Sequence, residues 1–125
     1  MSITNKQIVE KVNAGFGAND PEVFLENSKN DVRWTMAGEE TRTGVDTIRD
    51  WMKSMGEMEP PKFTVSNLIG ERDIVVANGD MTMKNKEGQT ESYAFCDVYR
   101  FEGGKIGELT SYVVKTGETA KQAQA

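Results

Sequence analysis

The sequence predicts an α+β domain in which three N-terminal helices pack on a strongly curved, mainly antiparallel sheet and close it into a cone around a cavity. Three observations lead there. Apolar residues recur at spacings of three and four only as far as Met55, whereas beyond Lys62 they alternate as in strands. Helices followed by a meander segregate to one face of the sheet they precede. The strand-like segments are also long, and strands of about ten residues accumulate too much twist to stay flat. A curled sheet closed by helices leaves a concave apolar space, the usual seat of a small molecule.

Each element has a local cause. Thr4 and Gln7 form a T-x-x-Q capping box, and Ile8, Val12 and Phe16 follow at i, i+4 and i+8, predicting a helix that ends near Gly15 or Gly17. Asn19-Asp20-Pro21 starts a short second helix through Val23, Phe24 and Leu25 to about Asn27. Residues 31–36 (DVRWTM) alternate as a first strand, and residues 37–43 read as a polar, glycine-containing loop. Val45, Ile48, Trp51, Met52 and Met55 mark a third helix from Gly44, blocked by Pro60-Pro61. Strands follow over 62–69, 74–84, 89–101 and 105–115, with turns at Glu71-Arg72-Asp73, Glu87-Gly88 and Gly103-Gly104. One domain over 1–115 and a polar tail over 116–125 are expected.

Composition removes whole classes of function. The 125 residues contain no histidine, which excludes Ser-His and Cys-His nucleophile systems and HExxH zinc helices. A net charge of -5 repels phosphate backbones and anionic lipid, so neither nucleic acid nor membrane is an expected partner. The single cysteine, Cys96, forms no intramolecular disulfide, and no signal segment or membrane-length apolar run is seen, so a cytoplasmic location is expected. No metal and no cofactor are expected. Glu39, Glu40, Glu57 and Glu59 read as solvated loop residues, and Gly103-Gly104 as a hairpin turn with no following helix to hold phosphate.

The order of elements, the segment GVDTIRDWM after the first strand and the segment CDVYRFEGGKIGELTSYVV at residues 96–114 resemble the nuclear transport factor 2-like superfamily. Within it the chain looks like the SnoaL-like branch, which includes ketosteroid isomerases and polyketide cyclases. The resemblance covers residues 4–115 and is strongest in the final hairpin. It implies the cone fold and pairing of two copies through the sheet, hence a homodimer. It also implies a role for Asp97, which in CDVYRF…GKI matches the acid that ketosteroid isomerases keep protonated to bind a developing enolate. Met36 stands at the position of the family's proton-shuttling aspartate, and Val12 at that of its oxyanion tyrosine. The histidines of scytalone dehydratase-like members are absent, and no Asp-Arg-Asp set like that of limonene epoxide hydrolases is assembled.

By strand parity Tyr93, Phe95, Asp97, Tyr99 and Phe101 share one face. An acid among four aromatics on a cavity face loses hydration without gaining a cation, so its pKa rises and it can donate a hydrogen bond to a carbonyl oxygen, as in the worked ketosteroid isomerase case. Asp97 and Tyr93 are therefore the candidate catalytic residues, with Val12, Phe16, Trp34, Met36, Trp51, Met55, Asp80, Phe95, Tyr99, Leu109 and Val113 as candidate ligand contacts. The second carboxylate depends on register. A two-residue turn at Glu87-Gly88 pairs Asp80 with Phe95 and turns it inward, whereas a three-residue loop puts Met81 and Met83 there instead. The function these readings imply is binding of a small apolar, carbonyl-bearing molecule, with isomerisation, cyclisation or dehydration as reaction classes. The alternative is a non-catalytic ligand-binding or dimeric interaction module of the same fold.

Overall fold

The structure, a computed structural model, describes residues 4–54 and 61–116. Met55 and nearly all of the polar tail lie outside them. Helix α1 spans Asn5–Gly17 behind the expected capping box: the Thr4 hydroxyl oxygen accepts from the Gln7 amide, and Gln7 Oε1 accepts from the Thr4 amide. Its stripe of Ile8, Val9 and Val12 is buried. Helix α2, Glu22–Glu26, turns back at once, and Gly15 permits this because a Cβ there would stand 2.8 Å from both the Asp20 carbonyl oxygen and Val23 Cβ. Helix α3, Val45–Ser54, is tied to α2 by a two-pronged Arg49–Glu22 ion pair at 2.8 and 3.0 Å.

The strands are β1 (Ser28–Met36), β2 (Thr41–Thr43), β3 (Lys62–Glu71), β4 (Ile74–Lys84), β5 (Thr90–Glu102) and β6 (Lys105–Lys115). They form one curved, unclosed sheet in the order β2-β1-β6-β5-β4-β3. All pairings are antiparallel except β1 with β6, which brings the first strand beside the last. Strand β2 falls where a loop was expected. Its sequence, Thr-Arg-Thr, is too short and too polar to show an apolar face, and only its pairing with Arg33–Thr35 makes it a strand.

The β4–β5 hairpin closes through three residues, Lys86, Glu87 and Gly88, and not two. The Asn85 amide bonds to the Gln89 carbonyl at 2.9 Å, and Gly88 takes a φ of 80°. The cause lies in Asn85, whose side-chain oxygen accepts from the amides of Glu87 and Gln89 and so holds the loop from within. The register follows: Ala77 opposes Asp97, Asp80 opposes Ala94 and Met81 opposes Tyr93.

Strand β3 carries one extra residue opposite β4, between Val65 and Asn67. Such a bulge bends a strand. Gly79 allows it, because a Cβ at that position would overlap the Thr64 carbonyl oxygen. The bend turns β3 over the inner face, where the Phe63 ring meets Phe95 edge-on at 5.7 Å.

Val9, Val12, Phe24, Val32, Ile48, Val75, Tyr99, Phe101, Ile106 and Leu109 fill the space between helices and sheet as the core. On the opposite face of the sheet Ile69, Tyr112 and Val114 are exposed. Among the described residues no helix is long and apolar enough to cross a membrane.

Candidate functional site

Where the core ends, the cone opens into a cavity of about 360 Å³. Each element contributes by periodicity. Helix α1 presents Phe16, the α1–α2 turn presents Asn19, Asp20 and Pro21, and α3 presents Trp51 and Met52. From the sheet come Trp34 and Met36 of β1, Phe63 of β3, Met81 and Met83 of β4, Phe95 and Asp97 of β5, and Ser111 and Val113 of β6. Two walls are aromatic clusters. Phe16, Phe24 and Trp34 meet at 5.3 to 5.8 Å, and Trp34 meets Trp51 edge-on at 5.1 Å. The other face of Trp51 is covered by the Arg42 guanidinium, 4.0 Å from the ring centroid, a cation–π contact that holds the indole upright.

Asp97 is the acid set into this apolar wall. Burial pushes its carboxyl up to about 6 from an ordinary 3.8, opposed by the Ser111 hydroxyl on the neighbouring strand, which favours the charged form. No cation pairs with it among the described residues. Near neutrality it therefore exchanges between a carboxylic acid that donates to a ligand oxygen and a carboxylate that accepts a proton. Among the described residues Asp20 and Lys84 are the other charged side chains on the wall. No group of three or more metal-ligating side chains occurs among the described residues.

Of the residues singled out from the sequence, Phe16, Trp34, Met36, Trp51, Phe95, Asp97 and Val113 meet on this wall. Val12, Leu109 and Tyr99 share its face or stripe but lie deeper, wholly buried in the core. Tyr93 is displaced from the expected role. Its hydroxyl donates to Glu91 Oε1 at 2.7 Å, a bond that raises the phenol's pKa, and the side chain does not reach the wall. Asp80 is corrected outright, since the three-residue loop turns it to the outer side, exposed, with Met81 in its place. Met55 is outside the described residues. Ser111 and Phe63 are wall residues that were not singled out from the sequence, although parity sets Ser111 on the face of Leu109 and Val113.

Tyr99 supplies a test of the interior. Its hydroxyl is buried without a hydrogen-bond partner among the described residues, and burial, followed by the Asp97 charge, holds the phenol protonated. An unpaired buried hydroxyl opposes folding by about 1 kcal/mol or more. Tyr99→Phe is expected to raise unfolding free energy by about 1 kcal/mol in urea titrations, and a loss of that size would mean the hydroxyl has a partner after all.

A three-helix, curved-sheet cone enclosing an apolar cavity is the architecture of the nuclear transport factor 2-like class. The chain is similar to an NTF2-like protein from Burkholderia thailandensis (24% identity, 99% of each chain covered, TM-score 0.79). It is also similar to a protein from Jannaschia sp. assigned as a SnoaL-like polyketide cyclase (16% identity, 90% of each chain, TM-score 0.74). A third similar structure is TerC co-crystallised with polyporic acid (18% identity, 94% of each chain, TM-score 0.75). Residues 9–109 match the family model of the SnoaL-like domain, and the chain belongs to that family. No curated protein matches it.

Proposed function

We propose that the protein binds a small, largely apolar, carbonyl-bearing molecule in the cone, with the ligand oxygen on Asp97, and moves a proton on it in an isomerisation, cyclisation or dehydration. The observation that carries this reading is a half-buried carboxyl, raised to about 6 and facing an aromatic and methionine wall, with no cation paired to it among the described residues. The cavity volume, about 360 Å³, falls within the range of roughly 300–1,000 Å³ usual for small-molecule sites. Methionines at 36, 52, 81 and 83 give that wall soft, adaptable surfaces. Similarity to an assigned polyketide cyclase, and to a protein crystallised with polyporic acid, supports a small-molecule ligand.

A neutral ketone needs the protonated acid, which with a pKa of about 6 is only about one tenth populated at pH 7. Affinity for a β,γ-unsaturated cyclic ketone is thus expected to fall about tenfold from pH 5 to pH 7 in the wild type and to stay flat in Asp97→Asn. Equal pH dependence in both proteins would sink the Asp97 assignment. One observation favours a second, non-catalytic reading: the first strand offers Met36 where a base is needed, and among the described residues no other acid pairs with Asp97. Appearance of the conjugated ketone, followed by absorbance, separates enzyme from binder.

A further inference from the structure

Ser111 is the only aliphatic hydroxyl on the cavity wall among the described residues, and it is 4% exposed. Its place is fixed from three sides. Its strand pairs with Asp97 on one flank and Met36 on the other, its carbonyl accepts from the Ala37 amide at 2.9 Å, and its Oγ accepts from Trp34 Nε1 at 3.0 Å. An indole N–H only donates, so it occupies a lone pair of Ser111 Oγ and leaves the hydroxyl proton free to turn to the Asp97 carboxyl, its cross-strand neighbour on the same wall.

We propose that Ser111, clamped by Trp34, is a positioning residue for Asp97: it ties down one carboxyl oxygen and leaves the other, the one that carries or takes the proton, turned to the ligand. This rests on the binding reading above. The clamp also has a chemical purpose. Burial raises the Asp97 pKa and the Ser111 hydroxyl opposes that rise, which keeps both the acid and the carboxylate in use near neutrality. Other groups around Asp97 interfere little with this balance. Tyr99 follows two residues along β5 with its phenol held protonated, and Asp20 and Lys84 are the remaining charged wall residues among those described. Ala77 on β4 and Met36 on β1 carry no charge, and the chain has no histidine.

The test is a ligand-free titration of the Asp97 carboxyl by carbon-13 NMR in the full chain, so that it stands even if no ligand is ever found. Ser111→Ala is expected to raise the midpoint by about one pH unit, since a hydrogen bond to a charged group is lost, while Ser111→Thr keeps it near the wild-type value. Trp34→Phe, which removes the indole donor but keeps an aromatic ring, is expected to give an intermediate rise. An unmoved or lowered midpoint in Ser111→Ala, or Thr behaving like Ala, overturns the proposal. Should Ser111→Ala fail to fold, an unmoved midpoint in Trp34→Phe overturns it instead. Failure of ketone binding with these shifts intact would refute only the ligand assignment.

Discussion

Asp97→Asn is expected to stabilise the protein at pH 8 by about 2 kcal/mol while abolishing the pH dependence of ligand binding. The carboxyl rises from 3.8 to about 6 on folding, chiefly through burial. Between those values the folded chain holds a proton that the unfolded chain has released, so stability drains as pH rises and the loss is complete above about pH 6. A shift of about two units corresponds to roughly 3 kcal/mol, reduced to about 2 by hydration from the open cavity. Asparagine keeps the size, retains an oxygen that can accept from Ser111 and never ionises. The two proteins should therefore match near pH 4 and diverge toward pH 8 in urea unfolding. Parallel curves would show that Asp97 is solvated and ordinary. With no histidine in the chain, no imidazole titration obscures this window.

Gly79→Ala is expected to cost about 3 kcal/mol or more, among the largest losses available from a single methyl group here. The added carbon would occupy the position of the Thr64 carbonyl oxygen, with Ser66 N and Thr64 C each 2.9 Å away, all backbone that cannot step aside as a side chain does. Relief requires β3 to leave the bulge, which would carry Phe63 off Phe95 and open the cavity at that side. Thermal unfolding should show the loss. Gly17→Ala, with open space around its added carbon, serves as the control expected to cost nothing.

Much of the framework was legible because it is local. The capping box of α1 and the apolar spacing of α3 need no tertiary information, and strand parity put Phe95 and Asp97 on one face. What parity lacks is depth. Tyr93, Asp97 and Tyr99 share a face, yet one ties to Glu91, one meets the cavity and one disappears into the core. Register was undecided until the Asn85 side chain selected a three-residue loop, which exchanged Asp80 for Met81. Parity sets Ser111 on the inward face between Leu109 and Val113, but its partner was hidden for a topological reason. Only the parallel pairing of β1 with β6 sets it beside Trp34, 77 residues away in sequence.

Both tryptophans of the chain stand on the cavity wall, 5.1 Å apart and perpendicular, one bonded to Ser111 and the other beneath Arg42. With no indole elsewhere, the protein's emission spectrum and near-ultraviolet circular dichroism originate largely at the site itself. The coupled pair is a built-in optical probe, so ligand entry can be followed in the unlabelled, unmodified protein by light alone.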